Sequence, residues 1–263
     1  MSNITVTELQ GHTSGGDANT VKVKSGHTLA AQSNATVGGT LGVTGTTTTA
    51  QINASGSINT TANTISVTNS SYPQLQLNSG VKNYHIFNDT GSNSLYFKNN
   101  TDAVNAMTID SSGRINQPAQ PRFFAYLGSR FPASGNIASG NIFPFDNTNQ
   151  NVGSGFNTSN YRYTAPVAGT YVFGMNVRMV NDSGVRVARA MLRKNGSQQW
   201  DLAFIGGSKS PNPSDHPSMS GVTIINANAN DYFDLEVSGE LSFSGHLYAD
   251  PGTRSNFWGY LLA

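Results

Sequence analysis

Cysteine is absent from the sequence and charged residues are scarce, and each shortage excludes a class of protein. Without cysteine there is no disulfide framework, no thiolate nucleophile and no cysteine-ligated zinc. Lysine, arginine, aspartate and glutamate account for only 11% of the 263 residues, and the formal net charge is +1. This balance favours neither nucleic acid nor an anionic membrane as a partner, so we expect neither.

Long apolar runs and a secretory signal pattern are also absent. No stretch approaches the roughly 18 consecutive apolar residues that a membrane-spanning helix needs. The first residues, MSNITV, lack the basic and then apolar pattern of a signal peptide, so we expect synthesis in the cytoplasm. Gly, Ser, Thr and Asn are abundant instead, which is typical of many short strands and turns. The composition therefore predicts an all-β protein.

The chain between Lys24 and Lys82 contains no charged side chain. Isolated apolar residues such as Leu41 and Ile58 punctuate a run of Thr, Ser, Asn, Gly and Ala. One copy of this stretch cannot bury enough apolar surface to offset its ordering entropy. Two interpretations remain: the run is disordered, or three copies wind together into a shaft whose shared axis excludes charge. The second predicts an attachment segment at residues 1–30 and an uncharged shaft at residues 31–70.

Residues 71–116 alternate polar and apolar side chains with a period of two. Three such runs, PQLQLN, YHIFN and NSLYFK, are separated by Asn, Asp and Gly turns and lead to a fourth, MTIDSSGRI. The pattern predicts a β-hairpin shaft or neck. The following QPAQP contains two prolines that cannot occupy a central strand, so it marks a hinge into the last segment, residues 117–263.

The aromatic-rich stretch at residues 156–173, FNTSNYRYTAPVAGTYVF, contains two alternating runs around a Pro-Val-Ala-Gly turn, which predicts half-buried strands joined by a reversal. Together with other blocks it resembles the C1q-like globular head, a relative of the tumour-necrosis-factor jelly roll. Asn230 stands where that family usually has glycine, and asparagine tolerates the same left-handed backbone. The other blocks are FAYL at 124–127, IFPFD at 142–146, NVGSGFN at 151–157, LRKNG at 192–196, NDYFDLEV at 230–237 and SNFWGYLL at 255–262.

The resemblance to C1q-like heads implies a compact homotrimeric jelly-roll knob that binds ligands at its surface and catalyses nothing. Aromatic residues of its strands then suit the core or the trimer contacts better than a ligand site. Some such heads bind calcium near the trimer axis, but the acidic residues Asp182, Asp215 and Asp250 are scattered singly, so we predict no metal and no cofactor. The candidate core or trimer-interface residues are Phe124, Tyr126, Tyr171, Phe173, Phe257 and Tyr260.

Residues 36–116 resemble tailed-phage fibres, because GTLGVTGTTT at 39–48 is similar to fibre shafts and MTIDSSGRI at 107–115 to fibre hairpins. With a C1q-like head, this resemblance implies a homotrimeric tail fibre or head fibre of a virion. A virion tail or adaptor protein would hold the N-terminus, and the head would bind a host cell-surface glycan or protein during adsorption. A structural or decorating fibre of the head or neck, without a receptor role, is the alternative.

Two loop stretches of the predicted head combine rigid Gly and Pro with polar and aromatic side chains. They lie at residues 206–217 and 244–254. Loops on a rigid β scaffold commonly carry recognition, and Trp or Tyr rings could stack on sugars. The candidate receptor-binding residues are Trp200, Lys209, Asp215, His216, His246, Tyr248 and Arg254.

Resemblances to catalytic motifs have simpler explanations. IFNDTGSNSL at residues 86–95 mimics an aspartic-protease loop, but its Asn, Asp and Gly predict a hairpin turn. Asp234 and Glu236 share one strand face, which could suit glycoside hydrolysis, yet an exposed strand face explains them better. No His-x-x-x-His, Gly-x-Ser-x-Gly or Walker motif occurs, so we predict that the chain is not an enzyme.

Overall fold

The computed structural model describes residues 66–68, 72–181, 185–206, 216–243 and 247–263. The predicted attachment segment, residues 1–30, lies outside this description, as does nearly all of the predicted shaft, residues 31–70. Within the described ranges all of the regular secondary structure is β-strand, which confirms the all-β prediction for that part of the chain. No helix among the described residues is long and apolar enough to cross a membrane.

Residues 74–116 form one antiparallel sheet, the meander sheet, in which each strand pairs with the next along the chain. Its first three strands occupy the first three runs predicted from alternation, and the fourth predicted run, MTIDSSGRI, spans the end of the fourth strand, a turn and the start of a short fifth strand. The sheet is one layer thick, so its two faces carry different side chains. The strands are β1 (Gln74–Asn78), β2 (Asn83–Asp89), β3 (Ser94–Asn99), β4 (Val104–Ile109) and β5 (Ile115–Asn116).

Aspartate side chains organise two turns of the meander sheet. After β4, Asp110 Oδ1 accepts hydrogen bonds from the backbone N–H of Arg114 (3.0 Å) and Ser112 (2.9 Å), and these contacts, above all the one from Arg114, lower the pKa of Asp110. Gly113 has φ 79°, which side chains other than glycine rarely adopt. In the β2–β3 turn, Asp89 accepts hydrogen bonds from Gly91 N and Ser92 Oγ. The protease-like sequence is therefore a hairpin turn, as its composition predicted.

The chain from Arg122 onward forms a jelly roll of two packed sheets. The front sheet has the order β13-β10-β16-β6-β7, with β15 paired to the end of β10, and the back sheet has the order β12-β11-β14-β9-β8. The strands are β6 (Arg122–Leu127), β7 (Asn147–Val152), β8 (Phe156–Asn157), β9 (Arg162–Thr164), β10 (Gly169–Asn181), β11 (Val185–Lys194), β12 (Ser197–Gly206), β13 (Ser218–Ala227), β14 (Tyr232–Phe243), β15 (Leu247–Ala249) and β16 (Gly252–Leu261).

Aromatic rings from both sheets meet in the core of the jelly roll. Phe123 of the front sheet stacks on Tyr163 of the back sheet with ring centroids 4.4 Å apart. Phe173 of the front sheet lies 4.5 Å from Phe233 of the back sheet, again between ring centroids. These four side chains are at most 3% exposed. Each such pair adds about 0.5–1.5 kcal/mol to the stabilisation that comes from burial. Tyr163 and Phe173 of the alternating stretch at residues 156–173 therefore each join the two sheets through a ring on the opposite sheet.

At one edge the two sheets approach so closely that only glycine fits. A Cβ on Gly221 of β13 would lie 1.7 Å from the carbonyl oxygen of Leu202 in β12. Because the obstacle is backbone, it cannot move aside by a change of rotamer. Gly221 therefore lets an edge strand of the front sheet pack directly on an edge strand of the back sheet.

Two sequence blocks of the predicted head meet at the end where the chain enters the jelly roll. Asn230 adopts φ 72°, so it takes the left-handed conformation expected at the position where C1q-like heads usually have glycine. Asp231 beside it accepts hydrogen bonds from Asn195 Nδ2 (2.8 Å) and Asn228 N (2.8 Å) and pairs with Lys194 Nζ at 2.8 Å. These contacts lower the pKa of Asp231 from its ordinary value of 3.8 to about 2, and the hydrogen bond from Lys194 is the largest cause. The β13–β14 turn is thereby joined to the β11–β12 turn.

We expect Asp231 to make the stability of the jelly roll depend on pH in the acidic range. Its pKa is lower in the folded chain, so its contribution is complete above about pH 4 and is lost as the pH falls towards 2. The Asp231→Asn variant should lose on the order of 1 kcal/mol at pH 6 and show a shallower decline below pH 4. Thermal midpoints between pH 2 and 6 measure this, with exposed Asp201→Asn as the control. Equal acid dependence in the wild type and Asp231→Asn would contradict the assignment.

Candidate functional site

The outer face of the front sheet, which points away from the core, carries a continuous apolar and aromatic surface. Strand pairing fixes which residues share this face, because directly paired residues project on the same side of a sheet. We call this surface the outer front face. It consists of one row with Ile224, Val172, Tyr260 and Arg122, and a neighbouring row with Val222, Gly174, Trp258 and Phe124.

Trp258 occupies the centre of the outer front face. A Cβ on Gly174 would lie 2.1 Å from an atom of the indole ring, so glycine lets this ring lie against the backbone of β10. The indole stacks on Tyr260, with ring centroids 6.3 Å apart and planes inclined by 8°. Beside them, Val222 and Ile224 are 63% and 61% exposed. A contiguous exposed patch of this kind marks an interaction surface.

The structure divides the six candidate core or trimer-interface residues into two groups. Tyr171, Phe173 and Phe257 point inward and are fully buried in the jelly roll. The three that are partly or largely exposed, Phe124, Tyr126 and Tyr260, lie on the outer front face.

Sequence reasoning missed Val222, Ile224 and Trp258, which form much of the outer front face. The signal was present in residues 218–227, SMSGVTIINA, whose even-numbered members are the exposed ones. An apolar residue at both Val222 and Ile224 on the exposed side of a strand is the pattern that could have revealed this surface.

A second surface lies at the end of the jelly roll opposite the point of chain entry, and we call it the arginine end. Asp250 pairs with Arg178 (3.3 Å) and Arg254 (3.7 Å), and the Arg130 guanidinium lies 3.8 Å from the centroid of the Tyr248 ring. Two guanidinium groups thus pair with the Asp250 carboxylate, and the Arg254 side chain is 61% exposed. The exposed guanidinium of Arg254 and the Tyr248 ring beside Arg130 suit an anionic or polar ligand.

Three of the candidate receptor-binding residues lie at the arginine end. Tyr248 and Arg254 belong to it directly, and His216 is exposed beside Pro217, whose carbonyl accepts a hydrogen bond from Met179 N at 2.8 Å. Trp200 lies elsewhere: it pairs with Leu192 near the β11–β12 turn and packs against the core, so its ring is half-buried. The remaining candidates, Lys209, Asp215 and His246, lie outside the described residues.

Asp234 and Glu236 are buried, and the expectation of an exposed strand face was wrong. Their side chains are 0% and 10% exposed, because arginine side chains from neighbouring strands cover them. Arg193 binds Asp234 through Nε (2.6 Å to Oδ1) and Nη2 (2.8 Å to Oδ2), and its Nη1 donates to Glu236 Oε2 at 3.0 Å. Arg162 adds a bond to Asp234 Oδ2 at 3.1 Å, and Gln198 donates to Glu236 Oε1 at 2.7 Å.

This ionic network gives the two carboxylates a structural role on the back sheet. All four carboxylate oxygens accept a hydrogen bond from Arg193, Arg162 or Gln198. The bond to Asp234 is the largest cause of a raised pKa for Arg193, so the guanidinium stays charged. Two arginines balance two carboxylates, and the network ties β9, β11, β12 and β14 together.

Potential metal ligands do not converge in the part of the chain that the structure describes. No group of three or more His, Asp or Glu side chains there could hold a metal ion. Of the scattered acidic residues considered for calcium, Asp250 pairs with arginines, and Asp182 and Asp215 lie outside the described residues.

A third surface is the apolar face of the meander sheet. Register places Leu75, Ile86, Phe97 and Met107 side by side on it. Leu75 is 51% exposed, and Ile115 at the sheet edge is 65% exposed. A single-layer sheet with one apolar face needs a covering layer to be stable in water.

Comparison with known proteins identifies the jelly roll. The family model described as the C1q domain matches residues 123–262. Among solved structures, the globular domain of zebrafish complement 1qA is 18% identical, with a TM-score of 0.40, and the match covers 55% of this chain and 98% of that one. The Eiger TNF structure from S. frugiperda is 10% identical with a TM-score of 0.38, covering 55% and 94%. No curated protein matches the sequence.

We predict that the ionic network is essential for stability. Asp234→Ala leaves the Arg193 guanidinium buried without its two-point partner, which should lower the free energy of unfolding by about 3–5 kcal/mol. Asp201→Ala, an exposed carboxylate on the same sheet, should change it by less than about 1 kcal/mol. Urea midpoints at one protein concentration compare the two variants. Equal midpoints would show that the network contributes no more than a surface charge.

Proposed function

Because the chain belongs to the C1q domain family, we propose that it assembles as a homotrimer and acts by binding rather than by catalysis. The single observation that carries this proposal is the outer front face. Trp258, Tyr260, Val222 and Ile224 form a surface whose composition is that of an obligate interface between subunits. Three copies of the jelly roll would cover one another's outer front faces around a shared axis.

The meander sheet supports the same assembly upstream of the head. Its apolar face is partly exposed in one copy, with Leu75 51% exposed, and the sheet continues into β6 through only the short segment at residues 117–121. Once three heads associate, three meander sheets are held at high local concentration, so their apolar faces can cover one another at little further entropic cost. The uncharged run before Lys82 suits the same arrangement, because a shared axis excludes charge.

The arginine end is the part of the head that we assign to ligand binding. The chain enters the jelly roll at Pro121, where Gln120 Nε2 donates to Leu261 O at 2.9 Å, and Arg178 and Arg254 lie at the opposite end. A fibre attached by its N-terminal side would present this end outward. Three such ends in one trimer, and several trimers on one particle, would convert weak contacts into strong attachment.

Within this scheme the chain is a virion fibre of tailed-phage type. The support is the similarity of residues 36–116 to phage fibre shafts and hairpins, joined to a C1q-domain head. A virion tail or adaptor protein would hold the N-terminal segment, and a host cell-surface glycan or protein would be the ligand of the head.

The assembly proposal predicts the effect of a charge on the outer front face. Wild-type chain should have the mass of a trimer at micromolar concentration. Ile224→Glu removes about 1.5–3 kcal/mol of apolar burial in each copy and places three carboxylates in the interface, so it should yield monomers. Light scattering coupled to size exclusion measures the mass.

Phe204→Glu is the matched control for this experiment. Phe204 is 55% exposed on the back sheet, so the same apolar-to-acidic change occurs away from the outer front face. It should leave the trimer mass unchanged. A monomeric wild type, or dissociation by Phe204→Glu alone, would contradict the assembly proposal.

The binding proposal predicts the effect of removing one charge at the arginine end. Fluorescently labelled full chain should bind cells of a susceptible bacterial strain, and Arg254→Gln should reduce that binding about tenfold or more, since a charge-assisted hydrogen bond is worth about 1.5–3 kcal/mol. Arg189→Gln, an exposed arginine on the back sheet, is the charge-matched control. A trimer that binds no strain in a broad panel would favour the decorating fibre instead.

A further inference from the structure

The polar face of the meander sheet contains a groove of about 400 Å³, within the range of ordinary ligand sites. Strand pairing orders its lining into rows, with His85 opposite Lys98, then Phe87 opposite Tyr96, and then Asp89 at the turn. The groove therefore has a cationic end, an aromatic centre and an anionic end. By strand rise, the rows from His85 to Asp89 span about 13 Å, which is about the length of a disaccharide.

The aromatic centre of the groove consists of two rings that stack on each other. The rings of Phe87 and Tyr96 stack with centroids 5.0 Å apart and planes inclined by 8°, and both are half-buried. Gln74 lies beside Phe87 on the neighbouring strand. Aromatic rings flanked by an amide side chain are typical of saccharide sites. The rings contact the apolar C–H face of a sugar, and the amide forms hydrogen bonds with its hydroxyls.

The cationic end has unsatisfied hydrogen-bonding capacity. His85 Nε2 is buried and has no hydrogen-bond partner among the described residues. A buried polar atom without a partner is destabilising, and a ligand atom entering here would relieve that cost. Lys98 lies directly opposite and makes no ion pair with any described residue. Asp89 at the other end already accepts hydrogen bonds from Gly91 N and Ser92 Oγ, so its charge is partly compensated.

We propose that this groove binds an acidic saccharide of about two residues. The sugar carboxylate would lie at Lys98 and His85, one ring would pack against Phe87 and Tyr96, and hydroxyls at the far end would donate to Asp89. The site is separate from the arginine end and lies on the face of the meander sheet opposite Leu75, Ile86 and Phe97. An assembly that covers the apolar face would leave the groove open, three times per trimer.

The test uses the full chain and digalacturonate as the probe, with its neutral dimethyl ester as the matched ligand, in isothermal titration calorimetry. Digalacturonate should bind, and the ester should bind at least tenfold more weakly. Lys98→Gln should weaken digalacturonate binding at least tenfold, whereas Lys98→Arg should largely retain it. Arg189→Gln, which removes an exposed charge elsewhere, should have no effect. Equal light-scattering masses for all variants exclude a folding or assembly defect.

Three results would overturn the proposal: no binding of digalacturonate by the wild type, equal binding of the acid and the ester, or equal affinity in wild type and Lys98→Gln. Loss of binding on Arg254→Gln with retention on Lys98→Gln would place the saccharide at the arginine end and also overturn it. None of these calorimetric results depends on trimer mass or cell adhesion. The saccharide proposal can therefore be wrong while the proposed function is right, and the proposed function can be wrong while the saccharide proposal is right.

Discussion

The packing of aromatic rings between the two sheets is the constraint on which the rest of the structure depends. Phe123, Tyr163, Phe173 and Phe233 bring the sheets together at ring-centroid distances of 4.4–4.5 Å. Because side chains alternate along a strand, burying these rings inward forces their sequence neighbours outward. Their apolar outward neighbours Phe124 and Val172, together with Trp258 beside the buried Phe257, form the outer front face, which the proposed trimer would cover with other copies.

Local features of this fold could be predicted because single residues determine them. Gly113 and Asn230 adopt the left-handed conformations that their turns require. Asp89 and Asp110 organise turns through their own carboxylates, so a protease-like sequence could be recognised as a hairpin. Period-two alternation located β1 to β3 because each has one apolar face, and the aromatic blocks located the strands of the head.

Features that depend on register between distant strands could not be predicted in the same way. Asp234 and Glu236 alternate as exposed residues would, and only the pairing of β14 with β11 brings Arg193 over them. The outer front face requires β13 to pair with β10 and β10 with β16, and its breadth is invisible in any one strand. The arginine end joins residues from four separate stretches. In each case long-range pairing decides which side chains meet.

The central claim is that the outer front face is buried between copies, and hydroxyl-radical footprinting of the full chain tests it most directly. Within one copy, Tyr260 and Ile224 are 40% and 61% exposed, comparable with Phe204 at 55% on the back sheet. Burial between copies predicts strong protection of Tyr260, Ile224 and Trp258, with Phe204 labelled in full. Labelling of Tyr260 and Ile224 as extensive as that of Phe204 would contradict the account.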